Sequence, residues 1–139
     1  MYLLDTNVVS ELRKVQSGRA DERVARWAGG VVASELFLSV ISVQELEIGV
    51  LLAERRDAAQ GALLRTWLED RVLPAFAQRI LAVDTAVART GAGLHGPAPR
   101  PIRDTLIAAT ALLHGMTVVT RNIADFVSTG VSLLTPWED

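Results

Sequence analysis

The sequence contains no cysteine, which excludes disulfide bonds, thiolate metal sites and thiol nucleophiles together. Only two histidines are present, His95 and His114, and no HExxH motif pairs them, so we do not expect a histidine zinc site. No segment approaches the run of about 18 uncharged apolar residues that a membrane span needs, and no basic and apolar leader opens the chain. The absences predict a cytoplasmic protein that does not enter a membrane.

Lysine is almost absent, since 13 of the 14 basic residues are arginine and only Lys14 is lysine. The net charge of −2 gives no overall attraction to nucleic acid, so a nucleic-acid partner would need a local basic patch. Arginine suits such a patch because its planar donor fork matches phosphate. The length of 139 residues, half of them hydrophobic, predicts a single domain spanning residues 1–139.

Short apolar runs alternate with helical patterns along the chain. Strands are predicted at 2–4, 36–41, 79–83, 117–119 and 131–134. Helices are predicted at 6–13, 21–27 with Gly29-Gly30 as the stop, 42–53, 58–71 ending before Pro74, from Asp84 onward, and 102–114 with Gly115 as the stop; residues 91–101 are predicted to form a loop. Strands that alternate with helices favour an α/β fold, with a central parallel sheet of about five strands flanked by helices.

Acidic residues stand where predicted strands give way to helices, and each has a simple structural interpretation. Asp5 can cap the first helix, and Glu45 completes a capping box with Ser42. Asp104 lies in the first turn of a helix, where a negative charge favours the helix dipole. Asp125 can cap a short turn before Phe126. By this interpretation the acids only stabilise helix ends.

The same positions also support a functional interpretation. In a parallel sheet the ends of the first, second and fourth strands lie at one edge, so Asp5, Glu45 and the Asn122/Asp125 pair converge there, beside the helix that carries Asp104. Crowded carboxylates repel one another, and a hard divalent cation such as Mg²⁺ relieves that repulsion. Such an ion polarises a phosphoryl oxygen and activates water. The pattern therefore predicts metal-assisted hydrolysis of a phosphodiester.

Four motifs in order resemble the PIN-domain ribonucleases, and more narrowly the VapC toxins and their FitB-like relatives. They are Leu3-Leu4-Asp5-Thr6-Asn7, Ser42-Val43-Gln44-Glu45-Leu46, Arg103-Asp104-Thr105-Leu106-Ile107-Ala108-Ala109-Thr110 and Thr120-Arg121-Asn122. The resemblance spans essentially the whole chain, including the closing Pro136-Trp137-Glu138-Asp139. It implies a PIN-like three-layer fold and an endoribonuclease that depends on Mg²⁺, with Mn²⁺ as a substitute.

The resemblance also implies roles for individual residues. Asp5 and Asp104 match the principal metal ligands, and Glu45 matches the third acid, which binds the metal directly or through water. Asn122 stands where some relatives carry aspartate, and Asp125 can supply the missing charge. The motif match leaves open whether Asn122 or Asp125 completes the site and whether a second ion binds. Thr6 and Thr120 would supply hydroxyl groups that support the ligands. Arg103 and Arg121 would contact phosphate oxygens of the substrate.

The resemblance further implies partners. A toxin of this kind belongs to a type II toxin–antitoxin pair, in which a small cognate antitoxin blocks the cleft. RNA is the substrate, and operator DNA is reached only through the antitoxin. A homodimer is the usual assembly in this family.

Competing interpretations can be tested on particular residues. Residues 91–96 match GxGxxG, but a helix precedes them and a proline-rich segment follows, which excludes a dinucleotide fingerprint. A phosphatase of the haloacid dehalogenase type requires aspartate where Asn7 stands, and a receiver domain requires a lysine at a late strand end. The remaining alternative is a non-catalytic α/β module that binds partners in a DNA-binding regulatory complex. Such a module could dimerise through apolar helix residues, although packing in the core explains their apolar character equally well. These residues are Leu51, Leu52, Leu64 and Trp67.

Overall fold

Five short strands form one parallel sheet in the computed structural model, which describes residues 1–138. The strands are β1 (Tyr2–Leu4), β2 (Leu36–Ser39), β3 (Ile80–Leu81), β4 (Thr117–Val119) and β5 (Leu133–Leu134). Their order across the sheet is β3-β2-β1-β4-β5, and every neighbouring pair is parallel. The predicted α/β fold with a parallel sheet of five strands is confirmed, and β1 lies at its centre.

Helices connect the strands and cover the sheet. Within the described residues they are α1 (Thr6–Leu12), α2 (Glu22–Gly30), α3 (Val40–Arg56), α4 (Ala58–Trp67), α5 (Leu73–Ala75), α6 (Thr85–Gly93) and α7 (Ile102–His114). A π-helical turn (Leu68–Val72) joins α4 to α5, and three short 3₁₀ turns lie at Ala33–Glu35, Ile123–Asp125 and Val127–Thr129. None of these helices is long and apolar enough to cross a membrane.

The hydrophobic core is divided between the two faces of the sheet because successive residues of β1 point in opposite directions. Leu3 is fully buried in a cluster with Ile107 of α7 and Val118 of β4. Leu4 is fully buried in the other cluster, where Val8 of α1 is among its neighbours. Burial of each such side chain contributes about 1.5–3 kcal/mol. The two clusters account for the three-layer arrangement and fix β1, and the residue that follows it, in the middle of the molecule.

The helix that carries Asp104 was correctly predicted from its two ends. It runs from Ile102 to His114, directly after Pro101, and Gly115 ends it with φ of +67°. In that left-handed conformation glycine carries no steric penalty. Local signals sufficed here because proline and glycine determine the backbone at both ends.

The predicted start of α3 was wrong. The second strand ends at Ser39 rather than Ile41, and the Ser39 hydroxyl accepts the Ile41 N–H at 3.0 Å as the N-cap of α3. Ser42 is therefore inside the helix, fully buried, with its hydroxyl directed to the carbonyl oxygen of Leu4. The capping box expected between Ser42 and Glu45 does not form, which leaves the Glu45 carboxylate available for other contacts.

Smaller differences concern element ends. Helix α2 includes Gly29-Gly30 instead of stopping before them, and the helix predicted over 58–71 continues through the π-helical turn to Ala75, with Pro74 in the first turn of α5. The third and fifth strands are shorter than predicted, and α6 extends into the predicted loop as far as Gly93. Among the apolar helix residues, Leu64 and Trp67 pack against the core, whereas Leu51 and Leu52 are exposed.

Candidate active site

Asp5 is the central acid of the site. It follows β1 at the carboxyl edge of the sheet and is 1% exposed. Its Oδ1 accepts the Thr6 backbone N–H at 2.8 Å, so Asp5 does cap α1. Oδ2 accepts the Thr120 hydroxyl at 2.8 Å, and Arg103 Nη2 donates to Oδ1 at 2.7 Å. The cap and the site therefore use the same carboxylate, and these contacts fix its orientation.

Glu45 reaches the same place from the second turn of α3. Its Oε1 accepts the Thr6 hydroxyl at 2.5 Å and Arg103 Nη2 at 2.8 Å. Its Oε2 lies 2.5 Å from Arg103 Nε. Because the side chain keeps 28% of its surface exposed, it forms the open side of the site. Thr6 joins the first and second acids through its backbone N–H and its hydroxyl.

Asp104 completes the group from the first turn of α7 and is 5% exposed. Its Oδ1 forms a close ion pair with Arg103 Nη1. Burial raises the pKa of the Asp104 carboxyl, and the charges of Asp125, Asp5 and Glu45 raise it further, whereas the Arg103 charge acts to lower it. The structure thus brings the three predicted metal-binding acids together at one edge of the sheet.

Arg103 lies among these acids. Its guanidinium contacts Asp5, Glu45 and Asp104, and its side chain is 33% exposed. Burial acts to lower the pKa of Arg103, but the hydrogen bond to Glu45 and the surrounding carboxylate charges raise it above its ordinary range. We predicted that this arginine would contact phosphate; in the structure it neutralises the acids.

The donor set matches a hard divalent cation. Three carboxylates from three separate elements converge on one positive group, and all of the facing atoms are oxygens. Magnesium and manganese prefer oxygen ligands and need only a few carboxylates because they retain water. The chemistry of these residues therefore fits such an ion, with Asp5, Glu45 and Asp104 as the residues that would hold it, although with Arg103 among them no three acids of residues 1–138 are already grouped as a metal site.

The fourth predicted position lies on the segment after β4. Thr120 is fully buried, and its hydroxyl both donates to Asp5 and accepts the Asn122 backbone N–H at 2.9 Å. Asn122 itself is exposed, and Asp125 ends the adjacent 3₁₀ turn rather than capping it. The charge of Asp125 is close enough to act on the pKa of Asp104. Asp125 is exposed as well, so the choice between Asn122 and Asp125 stays a prediction.

Asn7 is a supporting residue that the sequence reasoning missed. Its Nδ2 donates to Asp5 Oδ2 at 3.3 Å, and its Oδ1 accepts the Arg121 backbone N–H at 3.2 Å. It therefore ties the end of β1 to the segment after β4. An amide two residues after the acid is the only sequence signal for this role. The Arg121 guanidinium stacks over Trp137, with 5.4 Å to the ring centroid, which leaves it beside the site and not among the acids.

A groove adjoins the acids on the α3 side. A cavity of about 210 Å³ has Thr6 and Glu45 on one wall and Trp67 on another, and Gly49 also borders it. Arg13 lies over the Trp67 ring, 5.9 Å from its centroid. The wall combines a flat aromatic surface with a positive charge next to the carboxylates, features suited to a strand of nucleic acid.

The two histidines do not join the acids. His95 lies in the loop before α7, where its Nδ1 accepts the Arg100 backbone N–H at 2.9 Å and its Nε2 is 3.3 Å from the Thr105 hydroxyl. His114 is in the last turn of α7, the end of the helix away from Asp104.

Comparison with known proteins places this geometry in a family. The PIN domain family model matches residues 2–130. Toxin FitB of Neisseria gonorrhoeae is 39% identical over 145 residues, covering 100% of both chains. VapC ribonuclease Y4jK of Sinorhizobium fredii is 38% identical over 143 residues, covering 99% of both.

Solved structures agree with the sequence matches. The crystal structure of FitAcB from Neisseria gonorrhoeae superimposes with a TM-score of 0.90 at 36% identity and covers 100% of both chains. The structure of FitAB bound to an IR36 DNA fragment superimposes with a TM-score of 0.88 at 36% identity, covering 100% of this chain and 97% of the other. The same fold and a full-length match therefore accompany the convergent acids.

Proposed function

The chain belongs to the PIN-domain family, and on that basis we propose that it is a divalent-metal-dependent endoribonuclease that hydrolyses RNA phosphodiester bonds. The observation that carries the proposal is the convergence of Asp5, Glu45 and Asp104 on one cationic group at the carboxyl edge of the sheet. A full-length relative that bears the name ribonuclease supports the same reaction.

The metal of the proposed site is Mg²⁺, with Mn²⁺ as a substitute. Asp5 and Asp104 would be the principal ligands, and Glu45 would bind the ion directly or through water. When bound, the ion supplies charge stabilisation at the phosphoryl oxygen and a water of lowered pKa. The protein's part is positional: the backbone of α1 and the Thr120 hydroxyl hold Asp5, and the Thr6 hydroxyl holds Glu45.

The arginines beside the acids are proposed to bind the substrate. Arg121 is next to the site and stacked on Trp137, so its guanidinium can contact phosphate without leaving an ion pair among the acids. Arg103 can do the same only when its contacts with the acids are released. Asp125 is proposed as the fourth acid of the site, with Asn122 as the alternative through its amide oxygen.

We propose the toxin of a toxin–antitoxin pair as the biological role. Toxin FitB matches the chain over its full length, and the matched assemblies are FitAcB and a FitAB complex bound to DNA. A small antitoxin would then cover the acidic cleft and carry the contacts to operator DNA. A toxin homodimer within that complex is part of the same proposal.

The experiment that tests the nuclease is RNA cleavage by the purified chain, with Mg²⁺ or with a chelator, followed by mapping of the product ends. Asp5→Asn should reduce cleavage on the order of a hundredfold or more, because a metal ligand contributes several kcal/mol of transition-state stabilisation. The matched control is Glu35→Gln. Glu35 is exposed and precedes β2, at the opposite edge of the sheet. The Glu35→Gln variant should therefore cleave RNA at the wild-type rate.

Two results would contradict the nuclease. Cleavage that is insensitive to chelator, or equal cleavage by the Asp5→Asn and wild-type proteins, would show that the acids do not catalyse it. No cleavage and no Mg²⁺ binding would instead favour a non-catalytic partner-binding module, in which the same acids act only as helix caps and ion pairs.

A further inference from the structure

The guanidinium of Arg103 uses the carboxylate oxygens that a metal ion would need. Nη2 contacts Asp5 Oδ1 at 2.7 Å and Glu45 Oε1 at 2.8 Å, and Nη1 pairs with Asp104 Oδ1. We infer that Arg103 competes with the divalent ion for these acids, so that metal binding is an exchange in which the guanidinium leaves and the ion enters. The inference rests on the proposed metal-dependent nuclease and names a residue that sets its metal requirement.

Simultaneous occupancy is opposed by geometry and by charge. Magnesium binds carboxylate oxygens at about 2.0–2.1 Å in a near-octahedral shell, so an ion bound to these oxygens would lie next to the guanidinium nitrogens. Asp5 Oδ1 already accepts the Thr6 N–H in addition to Nη2, which limits its freedom to accept a third partner. A divalent cation and a guanidinium at that separation repel, and the repulsion is strong in a partly buried site.

Arg103 is placed so that it can leave without disturbing the fold. It occupies the first turn of α7, its side chain is 33% exposed, and within residues 1–138 its side-chain hydrogen bonds and ion pairs are all with the three acids. Its buried Nε lies 2.5 Å from Glu45 Oε2 yet makes no hydrogen bond of good geometry among the described residues. Rotation of a flexible side chain toward solvent is therefore sufficient.

The exchange has a definite thermodynamic consequence. While the guanidinium occupies the acids, only the fraction of molecules in which Arg103 is released can bind metal, and the apparent affinity is reduced by that fraction. By linkage, metal binding must weaken the contacts of Arg103 to the same degree that Arg103 weakens metal binding. Arg103 thus raises the metal concentration at which the nuclease is active.

The first test measures binding of Mn²⁺ alone, by the loss of the free-ion electron paramagnetic resonance signal. Wild type is compared with Arg103→Gln and with Arg121→Gln, a control that removes a nearby arginine that pairs with Trp137 and not with the acids. If the guanidinium is released in about a tenth of the molecules, Arg103→Gln should bind Mn²⁺ about tenfold more tightly. Arg121→Gln should remain within about twofold of wild type, because it removes no competitor for the oxygens.

The second test uses the wild-type protein, so it does not depend on folding of a variant. The side-chain Nε–Hε resonance of Arg103, assigned by its absence from Arg103→Gln or Arg103→Lys, is followed by nuclear magnetic resonance while Mg²⁺ is added. Exchange predicts that this resonance moves or broadens toward a solvent-exposed arginine, in step with the amide shifts of Asp5 and Asp104. A merely structural Arg103 would keep its resonance throughout the titration.

The outcomes separate this inference from the proposed function. Tighter Mn²⁺ binding by Arg103→Gln, together with release of the Arg103 resonance, supports the exchange. Equal or weaker binding by the variant, or an unchanged resonance at metal saturation, overturns the exchange and leaves the metal-dependent nuclease intact. Failure of every protein to bind Mn²⁺ or Mg²⁺ overturns the exchange and the proposed nuclease together.

Discussion

The hydroxyl of Thr120, at the end of β4, donates a 2.8 Å hydrogen bond to Oδ2 of Asp5, at the end of β1. The same hydroxyl oxygen accepts the Asn122 N–H at 2.9 Å, and Thr120 is fully buried. One side chain thus orients the central acid and the segment that follows β4. Two neighbouring strands are joined by it at the site.

Thr120→Val should therefore lower both stability and cleavage. The variant leaves Asp5 Oδ2 with only the 3.3 Å hydrogen bond from Asn7 and leaves the Asn122 N–H without the Thr120 hydroxyl, which costs about 1–3 kcal/mol. Cleavage should fall about tenfold or more, as is typical when a group that orients a metal ligand is lost. Urea unfolding and RNA cleavage measure the two effects. Thr120→Ser, which keeps the hydroxyl, should retain most of the activity; equal loss in both variants would assign the effect to packing of the methyl group.

Asp104→Asn should change how stability depends on pH in chelator-treated protein. Burial, followed by the neighbouring acids, raises the pKa of Asp104 above its ordinary value of 3.8, so the folded state holds this proton more tightly than the unfolded state. The free energy of unfolding should therefore fall as the pH rises from that value through the raised pKa. The asparagine variant has no proton to lose at this position, so its free energy of unfolding should fall less as the pH rises. Its melting temperature at neutral pH should be higher than that of the wild type.

Urea titrations across the acidic and neutral range measure this pH dependence. An unchanged pH dependence, or a clear loss of stability at neutral pH, would contradict this prediction. It would show that the helix dipole and the Arg103 ion pair stabilise the Asp104 charge more than the other acids destabilise it. Glu35→Gln, which alters an exposed acid at the opposite edge of the sheet, is the control for a general charge effect.

Asp125 and Asn122 can be separated by single substitutions. Asp125→Asn should weaken metal binding and cleavage about tenfold, because it removes the carboxylate whose charge acts on Asp104. Asn122→Ala should have a smaller effect, since the structure uses the Asn122 backbone N–H rather than its amide side chain. Mn²⁺ titration and cleavage rates provide the comparison. The reverse order would make the Asn122 amide oxygen the fourth ligand.

Gly61→Ala should destabilise the fold through the contact between α3 and α4. A Cβ at Gly61 would lie 2.5 Å from Cα of Glu54, and because that atom is backbone the helices must separate. The expected cost is about 1–3 kcal/mol. Gly49→Ala, in α3 with nothing within 4 Å of the added Cβ, should instead stabilise by about 0.5–1 kcal/mol. Thermal unfolding distinguishes the pair, and similar melting temperatures would show that the two helices are free to shift.

The parts of the fold that the sequence predicted are those governed by neighbouring residues. Pro101 and Gly115 delimit α7, and the change from apolar to polar residues at Asp5 marks the end of β1. The start of α3 was missed because Ser39 and Ser42 are both plausible caps. Pairing of β2 with its neighbours selected Ser39, a long-range effect that a local motif does not contain.

The site was predicted to a similar extent. Convergence of Asp5 and Glu45, with Asp104 beside them, was predicted because parallel strands bring their carboxyl ends to one edge, and the structure shows this arrangement. The role of these acids as metal ligands stays a prediction. The position of Arg103 was not predicted, because it depends on charge pairing with a residue 98 positions away. Asn7 was missed for the same reason, since its second partner lies 114 positions later.

The central place of β1 has a consequence for when the site is assembled during synthesis. Its neighbour β4 is contributed by Thr117–Val119, so the first strand to be synthesised pairs on that side with one of the last. While a ribosome still holds the later part of the chain, Asp5 lacks both the Thr120 hydroxyl and the adjacent strand that fix it. The acids of an unfinished chain therefore lack the contacts that hold them together, and the site is assembled only after β4 has been made.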